Sequence, residues 1–210
     1  MAPAAPQAIE DVIDELVSNG HRFPLVHRML RDLSRIDHAV YRAVADTPTP
    51  TLDEPLRRLS NAANRSGVWV ATAGVIAASG GRRGRRAALA GLTSVGISSV
   101  VVNVALKGIY ARKRPDRASS GVVQSRHTPM PESPSFPSGH SASGFAFATA
   151  VGHQIPSLSF PLRMLAAGVA YSRVHSGVHY PGDAIVGSLV GGAVGLMVGA
   201  RFDRPGPKSQ

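Results

Sequence analysis

The sequence contains no cysteine. Disulfides and thiolate metal sites are therefore excluded, and no thiols are present to report a redox compartment. Aromatic residues reach only 5%, and no basic stretch carries the interleaved aromatics on which nucleic-acid bases stack. Nucleic acid is accordingly not an expected partner. Acidic residues number 13 against 23 Lys+Arg, and no clustered Asp/Glu set of the kind that holds Mg2+ stands out. An uninterrupted apolar N-terminal core is also missing: Glu10, Asp11, Asp14 and Glu15 fall where a secretory signal needs one. Residues 1–8 read as disordered and 9–17 as a short acidic helix.

What is present is a strongly basic chain of 210 residues with a formal net charge of +10. Its length fits one domain with a short appendage. The charge fits anionic lipid or a phosphate-bearing substrate. Mean hydropathy is only +0.02, but the average hides a division: the first third is polar, and apolar blocks follow at 67–80, 87–106, 141–155, 162–171 and 184–200. A membrane span needs roughly 20 apolar residues, about 17 at the least. The second and fifth blocks meet this, and the others must borrow flanking residues. Gly187, Gly191, Gly195 and Gly199 recur every fourth residue, as do Gly144, Ala148 and Gly152. Such small-residue ridges let helix backbones approach closely in lipid. Before the blocks, Leu33, Ile36, Val40 and Val44 mark an amphipathic helix, suited either to a membrane surface or to a soluble core. Another amphipathic stretch, with Leu52, Leu56 and Leu59, follows Pro48 and Pro50. The expected fold is all-α: a membrane-embedded bundle of about five spans with N-terminal amphipathic helices. The expected divisions are a polar extension over 1–32, the main domain over 33–200 and a basic tail over 201–210.

Three polar patches interrupt the blocks: Lys107 to Pro115, Pro137 to His140, and Ser172 to Asp183. If each block crosses once, alternation alone brings all three to one side. Lys107, Arg114 and Arg173 would then gather as fixed cations suited to phosphate oxygens. Ser138 adds a hydroxyl, and Gly139 and His140 open a helix whose free N–H groups favour an anion. His179 precedes Asp183 by four residues, so the carboxylate can hold one ring nitrogen while the other attacks phosphorus. His140, among the phosphate ligands, is placed to protonate the leaving oxygen. No metal and no cofactor is required, because the cations supply the positive charge.

These residues resemble the type 2 phosphatidic acid phosphatase (lipid phosphate phosphatase) superfamily, whose signature is Lys-x6-Arg-Pro, Pro-Ser-Gly-His and Ser-Arg-x5-His-x3-Asp. The similarity covers residues 37–200. It implies an all-helical fold shared with vanadium-dependent haloperoxidases and soluble bacterial acid phosphatases. It also implies phosphate ligands at Lys107, Arg114, Ser138, Gly139 and Arg173, a general acid at His140, a nucleophile at His179 and its partner at Asp183. Integral members often carry a further span before the 67–80 block, where this chain has the polar stretch 33–44. The implied substrate is a lipid phosphate in a bilayer: phosphatidate, phosphatidylglycerol phosphate or a polyprenyl (pyro)phosphate. A vanadate-binding haloperoxidase and a membrane lipid-binding protein without turnover are the rival readings.

Other residues are assigned more modestly. His127 and His175 lie on the motif side but outside the motifs, and His175 reads as a solvated loop residue. His153 falls at the far end of its block. Arg126 belongs to a long Pro/Ser-rich loop over 116–135, read as governing headgroup access or as disordered. Arg82, Arg83, Arg85 and Arg86, with Arg201, Arg204 and Lys208, lie opposite the motifs. By the positive-inside rule that side is cytoplasmic and the active site extracytoplasmic.

Overall fold

A computed structural model describes residues 24–109 and 111–203. The expectations for 1–8, 9–17 and the tail beyond residue 203 lie outside the described residues. Seven helices organise the described chain: α1 (Pro24–Asp46), α2 (Pro50–Ala62), α3 (Gly67–Ser79), α4 (Gly81–Ile109), α5 (Gly139–Gln154), α6 (Ser159–His175) and α7 (Pro181–Asp203). No strand occurs among the described residues, so the all-α expectation holds. The boundary expected between residues 32 and 33 falls inside α1, whose helical pattern starts earlier than its apolar periodicity suggested.

Helix α4 is α-helical over Gly81–Val100 and π-wound over Val101–Leu106, and it closes in the short turn Lys107–Ile109. Such π segments interrupt helices mostly at functional positions, because the extra residue rotates the side chains that follow. Among the described residues only α4 and α7 are by themselves long and apolar enough to cross a membrane. In their most apolar windows just 33% and 44% of residues are buried, so much of each apolar surface faces outward. Ile97, Val104, Ile185, Leu189 and Met197 are among the exposed side chains. Apolar faces of this length match a lipid environment rather than water.

The most extensive helix interface joins α5 to α7, and its cause is the glycine ridge. A β-carbon at Gly187, Gly191 or Gly195 would strike the backbone carbonyl oxygen of Ser138, Ala142 or Ala146 respectively. The four-residue spacing on α7 thus meets the same spacing on α5, backbone against backbone. Trp69 of α3, fully buried, fills the groove left by Gly144 and packs on Phe147 with ring centroids 5.5 Å apart.

Helices α5 and α7 both begin, and α4 and α6 both end, at one end of the bundle. At the opposite end Arg83 Nε donates to the carbonyl of Gln154 at 2.8 Å. There too His153 pairs with Asp203 at 2.7 Å, away from the motifs as expected.

The ridge gives a direct test. Gly191→Val should destabilise by about 3 kcal/mol or more, because overpacking here meets backbone and cannot be relieved by a rotamer. Gly192→Val, where a β-carbon meets nothing within 4 Å, should leave the melting temperature in detergent almost unchanged. Equal melting temperatures for the two variants would contradict the packing account.

Candidate active site

The end of the bundle where α4, α5, α6 and α7 converge carries the three motif segments. The π turn of α4 delivers Lys107, whose Nζ donates to Ser133 Oγ at 3.0 Å. Beyond α4 the chain runs extended, and Arg114 reaches inward. Its Nε donates to the Ser133 carbonyl at 2.9 Å, and its Nη1 donates to the Val178 carbonyl at 2.9 Å and lies 3.2 Å from His179 Nε2. First and third motif segments are therefore in contact. The second joins them through the backbone: Ser138 N–H donates to the Asp183 carbonyl at 2.9 Å.

Ser138 caps α5, its Oγ accepting from Ser141 N at 3.4 Å and from Ser141 Oγ at 3.0 Å. Because it accepts in both, its own O–H remains to donate. Gly139 is the first residue of α5. His140 is the second residue of α5. Its Nε2 lies 3.0 Å from Asn64 Oδ1. Arg173, in the last turn of α6, is 1% exposed. Its Nη1 donates to Ser60 Oγ at 2.6 Å, while its buried Nε has no partner among the described residues. A buried guanidinium nitrogen without an acceptor is costly, and an anion at the centre of these groups would satisfy it.

His179 and Asp183 bracket the start of α7. His179 is 2% exposed and Asp183 fully buried. His179 Nδ1 faces Asp183 Oδ2 across a long 3.4 Å contact. The same Oδ2 accepts from Tyr180 N–H at 2.9 Å, and Oδ1 accepts from Arg112 Nη1 at 2.9 Å. Burial is the main cause that pulls the His179 pKa down to about 4; the Asp183 carboxylate opposes this, and Arg114 and Arg173 reinforce it. Gly177, at φ +66°, turns the chain from α6 into this segment, and a β-carbon there would press on Arg117 Cγ at 3.0 Å.

Four residues at the site carry no motif signal. Ser60, in the last turn of α2, and Asn64, in the α2–α3 connection, hold Arg173 and His140. Arg65 and Ser66 follow at φ 52° and 61°, a left-handed pair unusual for residues with side chains. Asp37 of α1 and Arg112 complete the surroundings of Asp183, and Arg112 lies 4.0 Å above the Tyr180 ring.

His175 corrects the sequence reading. It is 2% exposed rather than solvated, with Nε2 2.8 Å from Thr49 Oγ1 and 3.3 Å from Asp53 Oδ1. Flanking Ser and Gly made the segment look like open loop, whereas the acceptors on α2 bury it. Arg126, also 2% exposed, donates to Asp53 Oδ1 at 2.9 Å and to the Thr47 carbonyl at 2.7 Å. The long loop is thereby tied to the corner between α1 and α2. His127 Nε2 lies 3.0 Å from the Val122 carbonyl. This loop borders an open cleft of ≈ 630 Å³ lined by Pro115, Arg117, Gln124, His127 and Met130, among others, and by none of the candidate phosphate ligands or catalytic residues.

The PAP2 superfamily model matches residues 87–204. Among characterised relatives, a decaprenylphosphoryl-5-phosphoribose phosphatase of Mycobacterium tuberculosis is 36% identical over 97 residues, 46% of this chain and 51% of that protein. Undecaprenyl-diphosphatase BcrC of Bacillus subtilis is 32% identical over 117 residues, 55% of each. The chain thus spans about half the length of the curated relatives it matches. Among solved structures, a transmembrane PAP2 type phosphatidylglycerolphosphate phosphatase from Bacillus subtilis superposes with TM-score 0.63 at 23% identity, covering 82% of this chain and 86% of that one. Aquifex aeolicus LpxE gives 0.59 at 22% identity, covering 76% and 92%. These two establish a shared fold, and the family match spans every motif residue from Lys107 to Asp183. On fold, motif order and family match together, the chain belongs to the PAP2 superfamily.

Proposed function

We propose that this chain is a multi-pass membrane phosphatase that releases phosphate from a lipid phosphate or diphosphate through a phosphohistidine on His179, without a metal. The supporting observation is the contact between Arg114 and His179. A guanidinium can only donate, so the Nε2 it faces at 3.2 Å is the lone-pair nitrogen. The proton then sits on Nδ1, toward Asp183. That tautomer aims an unprotonated nitrogen into the group of Lys107, Arg114 and Arg173.

In the first step the Nε2 lone pair forms a bond to phosphorus as the bond to the leaving oxygen breaks. His140 gives that oxygen a proton. Water then attacks the phosphohistidine, the P–N bond breaks, and His140 takes the water's proton. Lys107, Arg114, Arg173, the Ser138 hydroxyl and the N–H groups at Gly139 would hold the equatorial oxygens through both steps. A carbonyl oxygen on Asn64 favours a proton on His140 Nε2 and leaves Nδ1 to serve the leaving group. The relatives that act on decaprenyl and undecaprenyl substrates favour a polyprenyl carrier, its chain between the outward-facing helices and its phosphate among Lys107, Arg114 and Arg173.

Four tests follow. His179→Ala should abolish orthophosphate release while vanadate still binds; unchanged turnover would remove the nucleophile. EDTA should leave the rate intact. With the His179 pKa lowered to about 4, the ring stays neutral as pH falls through 6.5, so the acid-side loss of kcat/KM from this group should come nearer pH 4 to 5. A loss centred at 6.5 that follows His179 would contradict this.

His140→Ala should slow poor alkyl leaving groups by about 100-fold or more and p-nitrophenolate far less, as loss of a general acid does. Asn64→Leu should reproduce the pattern more weakly. Equal losses for both leaving groups would exclude the acid role.

The short connection from α3 into the first turns of α4, with exposed Arg82, Arg85 and Arg86, supports a cytoplasmic placement for that end and an outward-facing site. A single cysteine at Glu132, added to this cysteine-free chain, should react with an impermeant maleimide in intact spheroplasts. Labelling only after lysis would reverse the orientation.

A further inference from the structure

Helix α1 presents three different faces. Tyr41 and Ala45 are buried against the bundle, and Asp37 turns the same way. Leu25, Met29, Leu33, Ile36 and Val40 form a stripe at helical spacing, and every one is exposed. Arg28, Arg31, Arg35 and Arg42 recur at spacings of three, four and seven, so they share a third, basic face. An apolar stripe flanked by a row of arginines is the pattern of a helix lying in the headgroup region of an anionic bilayer. Its position agrees. Asp37 Oδ1 accepts from Gly182 N–H in the first turn of α7, where that span begins. Ile185 and Leu189, in the following turns of α7, are exposed apolar residues as well.

The polar side of α1 leads directly to the reacting groups. Asp37 Oδ2 pairs with Arg112 Nη2 at 2.6 Å, and Arg112 Nη1 donates to Asp183 Oδ1 at 2.9 Å. Arg112 also lies over the ring of Tyr180, whose N–H holds the other oxygen of Asp183. We propose that α1 docks on anionic lipid headgroups, and that Asp37 and Arg112 act as positioning residues through which this docking orients Asp183 and thereby His179. The coupling rests on the nucleophilic reading of His179; the docking does not.

The test uses the full chain in bilayer discs of phosphatidylcholine with and without phosphatidylglycerol. The native sequence has no cysteine, so spin labels at Leu33→Cys and Ile36→Cys carry no background. In anionic discs both labels should be reached by oxygen more than by an aqueous nickel chelate, and a label at Arg35→Cys should show the reverse. Water-exposed labels at 33 and 36, or spin–spin broadening between copies, would overturn docking in favour of an open face or a second copy.

Turnover of a water-soluble short-chain phosphate monoester reads the coupling. Asp37→Asn should lower kcat about 10–100-fold, the usual loss when an outer partner of a reacting group is removed. KM should change little, and Asp37→Glu should recover most of the rate. Wild-type kcat should be higher in anionic discs, and Asp37→Asn should lose that difference. Unchanged kcat in Asp37→Asn, or a loss that Asp37→Glu does not recover and that follows the melting temperature, would reduce Asp37 to a structural role. If even the wild type releases no orthophosphate, the enzymatic reading fails, while the label depths still decide docking.

Discussion

The backbone contact between α5 and α7 is the constraint on which the site depends. Glycines spaced every four residues on α7 sit against carbonyl oxygens spaced every four residues on α5. That match fixes rotation and register together, because any other alignment places a side chain against backbone. With the register set, the start of α5 lies beside the start of α7, and Ser138 N–H reaches the Asp183 carbonyl. Two helix N-termini then point the positive ends of their dipoles at one place. Close packing in lipid and anion recognition here have one cause.

The other two helices arrive with opposite polarity. The C-termini of α4 and α6 bring the negative ends of their dipoles, and each carries a cation there, Lys107 and Arg173. Those cations complement their own helices while facing the same centre. Arg114, Arg173 and Lys107 nevertheless repel one another, and burial deprives them of water. The carbonyls of Ser133, Val178 and Pro134 and the hydroxyls of Ser60 and Ser133 offset part of this cost. The unsatisfied Nε of Arg173 marks the part left over. A site held in this condition by its packing needs little reorganisation when negative charge builds on a phosphoryl group.

What could be read from sequence and what could not divide along physical lines. The apolar blocks, the glycine ridges and the motif residues were legible, because each is a pattern local to one helix or one short segment. Block 67–80 became Gly67–Ser79, while block 162–171 became Ser159–His175 once Arg173 and His175 were included. Those polar residues hid the helix end, since buried partners rather than periodicity keep them helical. Ser60, Asn64, Asp37 and Arg112 gave no signal at all. Each acts through contacts to residues about 70 or more positions away, and a lone Ser or Asn in a polar stretch looks like any turn. His175 failed for the same reason: nothing near it in sequence announces Thr49 and Asp53.

The residues that were hidden, Arg112 apart, share an origin. Ser60, Asn64, Asp53, Thr49 and Asp37 all come from α1, α2 and the connection into α3, the part of the chain before the residues matched by the family model. The motif segments supply groups that can touch phosphate, and the N-terminal helices supply groups that touch those groups. A cation or imidazole in a low-dielectric site has several rotamers of similar energy until a neighbour selects one. Ser60 selects for Arg173, Asn64 for His140, and Asp37 through Arg112 for Asp183. That selection rests on α1, α2 and the connection into α3. It means that residues 37–64, polar and without a recognisable motif, are part of how the site is set.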